Sequence, residues 1–285
     1  MRSISLIVVS VFFLISCGHT QMDVRTSSLG VKDKLSVGGK SLPSNISVNS
    51  DCVGDAAYEG STFISETEKM MIEMSGVTIS DNEVNEFGDN AYKEIVDEGK
   101  FRFVESGEMY DDLQRLLKEL IVNADLNSGI NYKIHLIDDE LVNAFTVGGH
   151  IFITTGIIDF ANSRSAVAFV VGHEIGHNEN GDLELLMKKL KIANSLVEGS
   201  GNIGVALQQI LTPFYNQVNE IESDRFGANI CYQSGYDPRK GVEMWRRMSE
   251  KEGSKNIVEG FARSHPYSID RMNCLEKYIN SNFDL

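Results

Sequence analysis

The chain has 285 residues, of which 42% are hydrophobic and 24% charged, and its formal net charge is −15 at pH 7. This composition excludes a chain that is disordered throughout and a protein with many membrane spans, and four cysteines are too few for a disulfide-dense scaffold of this length. Because the excess negative charge repels phosphate backbones, we expect no nucleic-acid partner.

Residues 1–16 are predicted to be a secretory signal peptide. Arg2 precedes an apolar stretch that is too short to span a bilayer as a helix, and residues 14–17 read LISC, which resembles a bacterial lipobox. We therefore predict cleavage before Cys17 and a lipid on its side chain; the alternative is an ordinary signal peptide in which this cysteine is incidental. Because Gly18 follows rather than an Asp, we expect anchoring in the outer membrane, facing the periplasm.

Residues 17–60 are rich in Ser, Gly and Asn and show no sustained periodicity, so we predict a tether between the lipid and a folded domain over 61–285. A Gly-rich break at 198–204 is either part of a lid or an exposed loop. Hydrophobic periodicity and β-branched runs predict the regular elements of the domain. The predicted helices cover 81–98, 108–124, 163–178, 183–197, 206–233, 239–251 and 267–281, and the predicted strands cover 131–137 and 148–156.

The sequence His173-Glu174-Ile175-Gly176-His177 lies in the predicted helix over 163–178, shortly after an apolar run that indicates a buried helix. Helical residues four apart lie about 40° from each other around the axis, so the two imidazoles share one face. That arrangement is typical of two zinc ligands. Glu174 lies beside them, where it can act as a base on a metal-bound water, and Gly176 is expected to leave room beside the metal.

A catalytic zinc site needs a third protein ligand and keeps one position open. A third histidine six residues after His177 is excluded, because position 183 is Leu. Glu220 on a later helix is the predicted third ligand. Asp224 lies one turn further along the same face and is predicted to accept the far N–H of a liganding histidine. Glu222 is rotated to another side of this helix.

His265 precedes Pro266, and Arg271 follows six residues later. Two roles are open for this histidine. Together with the Arg271 cation it could stabilise the oxyanion of the reaction, or it could occupy the open zinc position in a resting state. We favour the second role, because a protease among newly exported proteins needs restraint.

These motifs, in this order, resemble the zinc metallopeptidase family of HtpX, the CAAX prenyl protease and BepA, over about residues 81–280. The segment 143–151 is similar to the family segment that leads into the active-site edge strand. The resemblance implies an α+β fold, a mostly helical gluzincin domain with a small β-sheet beside the His173–His177 helix. It also implies one Zn²⁺ per chain and endopeptidase activity. The single apolar segment and the few residues after Arg271 are similar to the short periplasmic lipoprotein members.

The strand over His150, Ile151, Phe152 and Ile153 is expected to pair with an extended substrate, and His150 could also touch it with its side chain. Because backbone pairing reads shape rather than sequence, we expect unfolded or misassembled envelope proteins as substrates, with the outer-membrane assembly machinery as a possible partner. One alternative is a chaperone or assembly factor whose cleavage is suppressed by His265. A lipoprotein with a structural zinc is a weaker alternative, because structural sites usually have four Cys or His ligands.

Three cysteines remain after lipidation of Cys17, namely Cys52, Cys231 and Cys274. The oxidising periplasm permits disulfides. We therefore expect one disulfide among these three residues and one thiol left over.

Overall fold

A computed structural model of the chain describes residues 70–124, 126–196, 217–251, 265 and 269–285. The predicted signal peptide, the tether, its boundary at residue 61 and the break at 198–204 lie outside these residues and stay predictions. No helix within the described ranges is both long and apolar enough to cross a membrane.

The described part of the chain is mostly helical with one small sheet, which confirms the predicted α+β class. The strands are β1 (Phe103–Val104), β2 (Lys133–Ile137), β3 (Ala144–Val147) and β4 (His150–Thr154). The helices are α1 (Asp81–Asp97), α2 (Glu108–Asn123), α3 (Thr155–Ala161), α4 (Arg164–Glu179), α5 (Asp182–Leu196), α6 (Gln217–Gln233), α7 (Arg239–Lys251) and α8 (Ile269–Asn282).

The predicted helices and strands are present with small shifts at their ends, and the helix predicted over 206–233 is described from Gln217 onwards. Three short elements, β1, β3 and α3, were not predicted. The strand predicted over 148–156 ends earlier because Thr154 caps α3, with its side-chain oxygen accepting the N–H of Ile157 at 3.2 Å.

The sheet has the strand order β1-β2-β4-β3, with β2 and β4 parallel and the two outer pairs antiparallel. Strand β4 therefore hydrogen-bonds to a neighbour on each side. Its backbone cannot add a further strand, so the predicted pairing of His150, Ile151, Phe152 and Ile153 with substrate is wrong. The edge of the sheet on this side is β3, which turns into β4 at Gly148 and Gly149, both with positive φ.

The two faces of β4 contact different layers of the molecule. Ile151 and Ile153 belong to the main core, which also contains the apolar side chains of α2 and α4. His150 and Phe152 point to the opposite face, towards α1. Helix α4 is buried from Arg164 to Asn178, so the sheet and the surrounding helices enclose it.

His150 is part of a polar cluster on the α1 face of the sheet. Its two ring nitrogens lie 2.9 Å from His135 Nε2 and 2.9 Å from Asp89 Oδ1, and the ring of Tyr92 stacks on His135 with centroids 4.3 Å apart. Burial lowers the pKa of His135 to about 4, and it also lowers the pKa of His150. His150 is 2% exposed. Both ring nitrogens contact residues of this cluster, on the face of the sheet opposite the main core, so the structure gives the side chain a structural role and does not support its predicted contact with substrate.

Helices α4 and α6 cross at very short range. A Cβ added to Gly172 would lie 3.0 Å from the Cα of Gly227, and one added to Gly176 would lie 3.0 Å from the Cα of Ser223. These glycines therefore allow the two backbones to touch. The predicted role of Gly176 in leaving room beside the metal is corrected, because this residue instead admits α6.

The cysteines follow the expected pattern in the described residues. Cys274 is disulfide-bonded, and Cys231 is a buried free thiol. The partner of Cys274 lies outside the described residues.

Candidate metal centre

Helix α4 presents the two predicted histidine ligands. It begins at the cap residue Ser163, whose side-chain oxygen accepts the N–H of Ala166 at 3.1 Å. One turn apart near its other end, His173 and His177 direct their Nε2 atoms at each other, 3.1 Å apart. Both rings are 1% exposed. Two nitrogens of neutral imidazoles at this distance are well placed to share one cation.

Glu220 and His265 complete a group of four donor atoms. Glu220 Oε1 lies 3.5 Å from His177 Nε2, and its other oxygen lies 3.6 Å from His173 Nε2. His265 Nδ1 lies 3.1 Å from Glu220 Oε1, 3.2 Å from His173 Nε2 and 3.3 Å from His177 Nε2. These four residues form a group of potential metal ligands among the described residues, and all four are buried.

The spacing of these donors fits a small tetrahedral cation. Ligands at the zinc distances of ~2.0–2.1 Å would be separated from one another by about 3.3–3.4 Å in a tetrahedron. Glu220 supplies the negative charge: burial raises its pKa, but Arg271 and the nearby imidazoles outweigh that effect and lower it to about 2. The centre thus offers three imidazole nitrogens and one carboxylate, a donor set suited to zinc.

Neither carboxylate oxygen of Glu174 accepts a hydrogen bond within the described part of the chain, although both oxygens are buried. Its Oε1 lies 3.4 Å from His265 Nε2, at the edge of the four-donor group. Burial raises the pKa of this carboxyl above its ordinary value. A buried carboxylate left without a hydrogen bond is costly, and such groups are typically found where they take part in chemistry.

Asp224 lies beside His173, with Oδ1 2.9 Å from Nδ1, and its predicted role as an acceptor of the histidine N–H stays a prediction. This contact orients the ring so that Nε2 faces the other donors. Arg271 has a different position from the one predicted. It donates from Nε and Nη2 to Asp224 at 3.0 and 2.9 Å, while Nη1 lies 2.7 Å from Glu220 Oε2.

The role predicted for Arg271 is therefore corrected. Its guanidinium is 1% exposed, all three of its nitrogens contact carboxylates of α6, and its Cζ lies 4.7 Å from the centre of the Trp245 ring. In this arrangement it positions Glu220 and Asp224 and does not face a substrate. Trp245, which belongs to none of the sequence motifs, packs its ring against this cation.

Two polar side chains near His177 were also missed. Asp182 Oδ2 lies 2.8 Å from His177 Nδ1. Asn178 donates to Thr146 Oγ1 at 2.8 Å and accepts from the N–H of Gly149 at 3.1 Å, so it connects the β3–β4 hairpin to α4. The only local signal for Asp182 is its place directly after Gly181, whose positive φ turns the chain back towards α4.

The model of peptidase family M48 matches residues 109–279. The chain belongs to this family. The M48 match covers the sheet from β2 onwards, α4, α6 and His265. It confirms the family resemblance that the motifs indicate.

Curated M48 relatives are distant and longer. The chain is 26% identical over 202 residues to the mitochondrial metalloendopeptidase OMA1 of Schizosaccharomyces pombe, covering 67% of this chain and 59% of that one. It is 22% identical over 181 residues to the beta-barrel assembly-enhancing protease of Yersinia pestis, covering 56% and 37%. The chain thus spans less than two thirds of the length of these relatives.

The contribution of Glu220 to the centre can be tested by metal analysis. We expect about one zinc ion per chain in the purified wild type and loss of most of it in Glu220→Ala, because the only carboxylate among the four donors is removed. Glu222→Ala, on another side of the same helix, is the matched control and should keep its metal. Undiminished zinc in Glu220→Ala would show that another residue is the carboxylate ligand.

Proposed function

We propose that this M48 protein is a zinc-dependent metalloendopeptidase in which Glu174 is the general base. The observation that carries this proposal is the buried Glu174 carboxylate, without a hydrogen bond among the described residues, beside four donors spaced for one cation. Zinc bound there would supply a Lewis acid that polarises the scissile carbonyl and activates a water molecule.

The remaining roles, metal binding and proton transfer, are assigned to residues of this chain. His173, His177 and Glu220 would hold the ion. Glu174 would take a proton at a carboxylate oxygen and later deliver it to the leaving amine. A pKa raised by burial suits this double duty, because a group that both accepts and donates should bind its proton neither too weakly nor too strongly.

His265 supports a restrained form of this enzyme. Its Nδ1 lies within 3.3 Å of donor atoms from His173, His177 and Glu220, which supports a role at the position that a catalytic centre leaves open. We propose that this is a resting arrangement and that His265 leaves when substrate binds. A chaperone or assembly factor with suppressed cleavage remains the second candidate, favoured by the same contact, but a binding module has no need of Glu174.

We propose unfolded or misassembled envelope proteins as the substrates. In the described sheet the edge strand beside α4 is β3 (Ala144–Val147), whose four residues are buried, and Thr146 in this strand accepts a hydrogen bond from Asn178, next to His177. An extended segment could pair with that edge, and only unfolded or flexible chains present such a segment. The similarity to a beta-barrel assembly-enhancing protease supports an envelope substrate and a link to outer-membrane assembly.

We also propose that the protein is a lipoprotein anchored in the outer membrane through Cys17 and facing the periplasm. This proposal rests on the sequence LISC at residues 14–17 and on Gly18. A signal peptide and a tether before the described residues would place the metal centre among newly exported proteins.

Glu174→Gln separates catalysis from metal binding. The amide keeps the shape of the side chain but cannot accept the proton, so we expect cleavage of an unfolded model protein to fall at least ~100-fold. Zinc content and the thermal melting curve should stay close to wild type. Glu184→Gln, which makes the same change at a partly exposed side chain of α5, is the control and should keep its activity. Proteolysis retained by Glu174→Gln at matched zinc content would contradict the assignment of the base.

His265→Ala distinguishes the two roles considered for this residue. If His265 blocks the open position, its removal should raise the cleavage rate of an unfolded protein at matched zinc content. If it stabilises the oxyanion, the rate should fall by about 10²–10³. We expect the rise. His135→Gln, which alters a histidine on the far face of the sheet, is the control; a loss of activity confined to His265→Ala would overturn the resting-state role, and no change would remove both roles.

A further inference from the structure

Asp182 is a buried acidic residue that no ligand motif includes. It is the first residue of α5, and its side chain turns back to α4, where Oδ2 lies 2.8 Å from Nδ1 of His177. It is 4% exposed. A buried carboxylate is retained only where its partners offset the loss of hydration, so these partners define its role.

A second partner fixes the orientation of the carboxylate. Asn219 donates from Nδ2 to Asp182 Oδ1 at 2.6 Å, and Asn219 directly precedes the ligand Glu220 in α6. Ser223 Oγ also lies within hydrogen-bond distance of this His177 nitrogen, 3.1 Å from Nδ1. The Asp182 carboxylate therefore connects three helices, namely α4, the start of α5 and the start of α6.

We propose that Asp182 is the positioning residue of His177. By accepting the hydrogen at Nδ1, it holds the neutral ring in the tautomer whose lone pair is on Nε2, the atom that faces His173 and His265. Asp224 likewise lies beside His173, with Oδ1 2.9 Å from Nδ1. Each imidazole of α4 thus has a carboxylate beside it, and the hydrogen bond from Asn219 orients the carboxylate of Asp182 towards His177. This inference rests on the proposed zinc site.

The direction of these hydrogen bonds makes a sharp test possible. In Asp182→Asn the new amide has one oxygen and one NH₂ group, while both neighbours, His177 Nδ1–H and Asn219 Nδ2, are donors. The NH₂ group of the new amide must then face one of these two donors. If the NH₂ group faces His177, it favours the wrong tautomer, with the hydrogen on Nε2. The double variant Asp182→Asn/Asn219→Asp restores an acceptor for each donor, because the carboxylate introduced on α6 accepts from the amide and the amide oxygen accepts from His177.

The experiment measures zinc affinity of the full-length chain in detergent by competition with a chromogenic chelator. We expect Asp182→Asn to bind zinc about 10–100-fold more weakly than wild type, and the double variant to recover most of that loss. Asp89→Asn is the matched control, because it removes a carboxylate from a histidine, His150, that lies outside the four-donor group. Asn219→Ala, a milder change that only frees the carboxylate to rotate, should give a smaller loss than Asp182→Asn.

Thermal melting of the metal-free proteins in chelator shows whether each variant is folded. If Asp182→Asn does not fold, Asn219→Ala replaces it as the test variant. Wild-type zinc affinity in Asp182→Asn, or in Asn219→Ala when the first variant does not fold, would overturn the inference. No recovery in the double variant would overturn the assigned direction of the hydrogen bonds. Failure of the proposed function is distinguishable: wild type would then bind zinc without cleaving unfolded protein, whatever the affinity of the variants.

Discussion

The close approach of α4 to α6 is the constraint on which the metal centre depends. Glu220 reaches the two histidines only because Gly172, Gly176 and Gly227 leave no side chains between the helix backbones. A Cβ at Gly227 would lie 2.9 Å from the backbone nitrogen of His173, so even alanine there would push α6 away from the ligand helix. The ligand geometry is thus built into the packing of two buried helices rather than into a loop.

Burial of the centre creates an electrostatic problem that a metal would solve. Four buried carboxylates, those of Glu174, Asp182, Glu220 and Asp224, lie around the histidines, and Arg271 is the cation that the described residues place among them. Burying charge without a partner is expensive. A divalent ion would offset part of the excess negative charge, and it would occupy the space towards which the three imidazoles direct nitrogen lone pairs.

The sequence was sufficient to predict the parts of the site that depend on helical spacing. His173 and His177 are four residues apart, as are Glu220 and Asp224, and helix geometry alone puts each pair on one face. The sheet was harder, because alternation along 148–156 identifies a strand but not its neighbours. Burial of β4 between β2 and β3 is decided by pairing with distant segments. Predicting it as an edge was therefore wrong.

Asp182 and Arg271 show a second limit. Both are charged residues near helix starts, where an ordinary solvent-exposed side chain is the usual expectation. Their roles come from tertiary contacts: α5 turns back at Gly181 towards His177, and α8 packs Arg271 against two carboxylates of α6. Such contacts between separate helices leave no periodic signal in the sequence.

X-ray absorption at the zinc edge of the purified full-length protein tests the metal centre most directly, because it reports the number and type of atoms around the ion. We predict four nitrogen or oxygen ligands at ~2.0–2.1 Å, three of them imidazoles, and two imidazoles after His265→Ala. A sulfur ligand at ~2.3 Å, or a His265→Ala spectrum identical to that of the wild type, would contradict the four-donor centre.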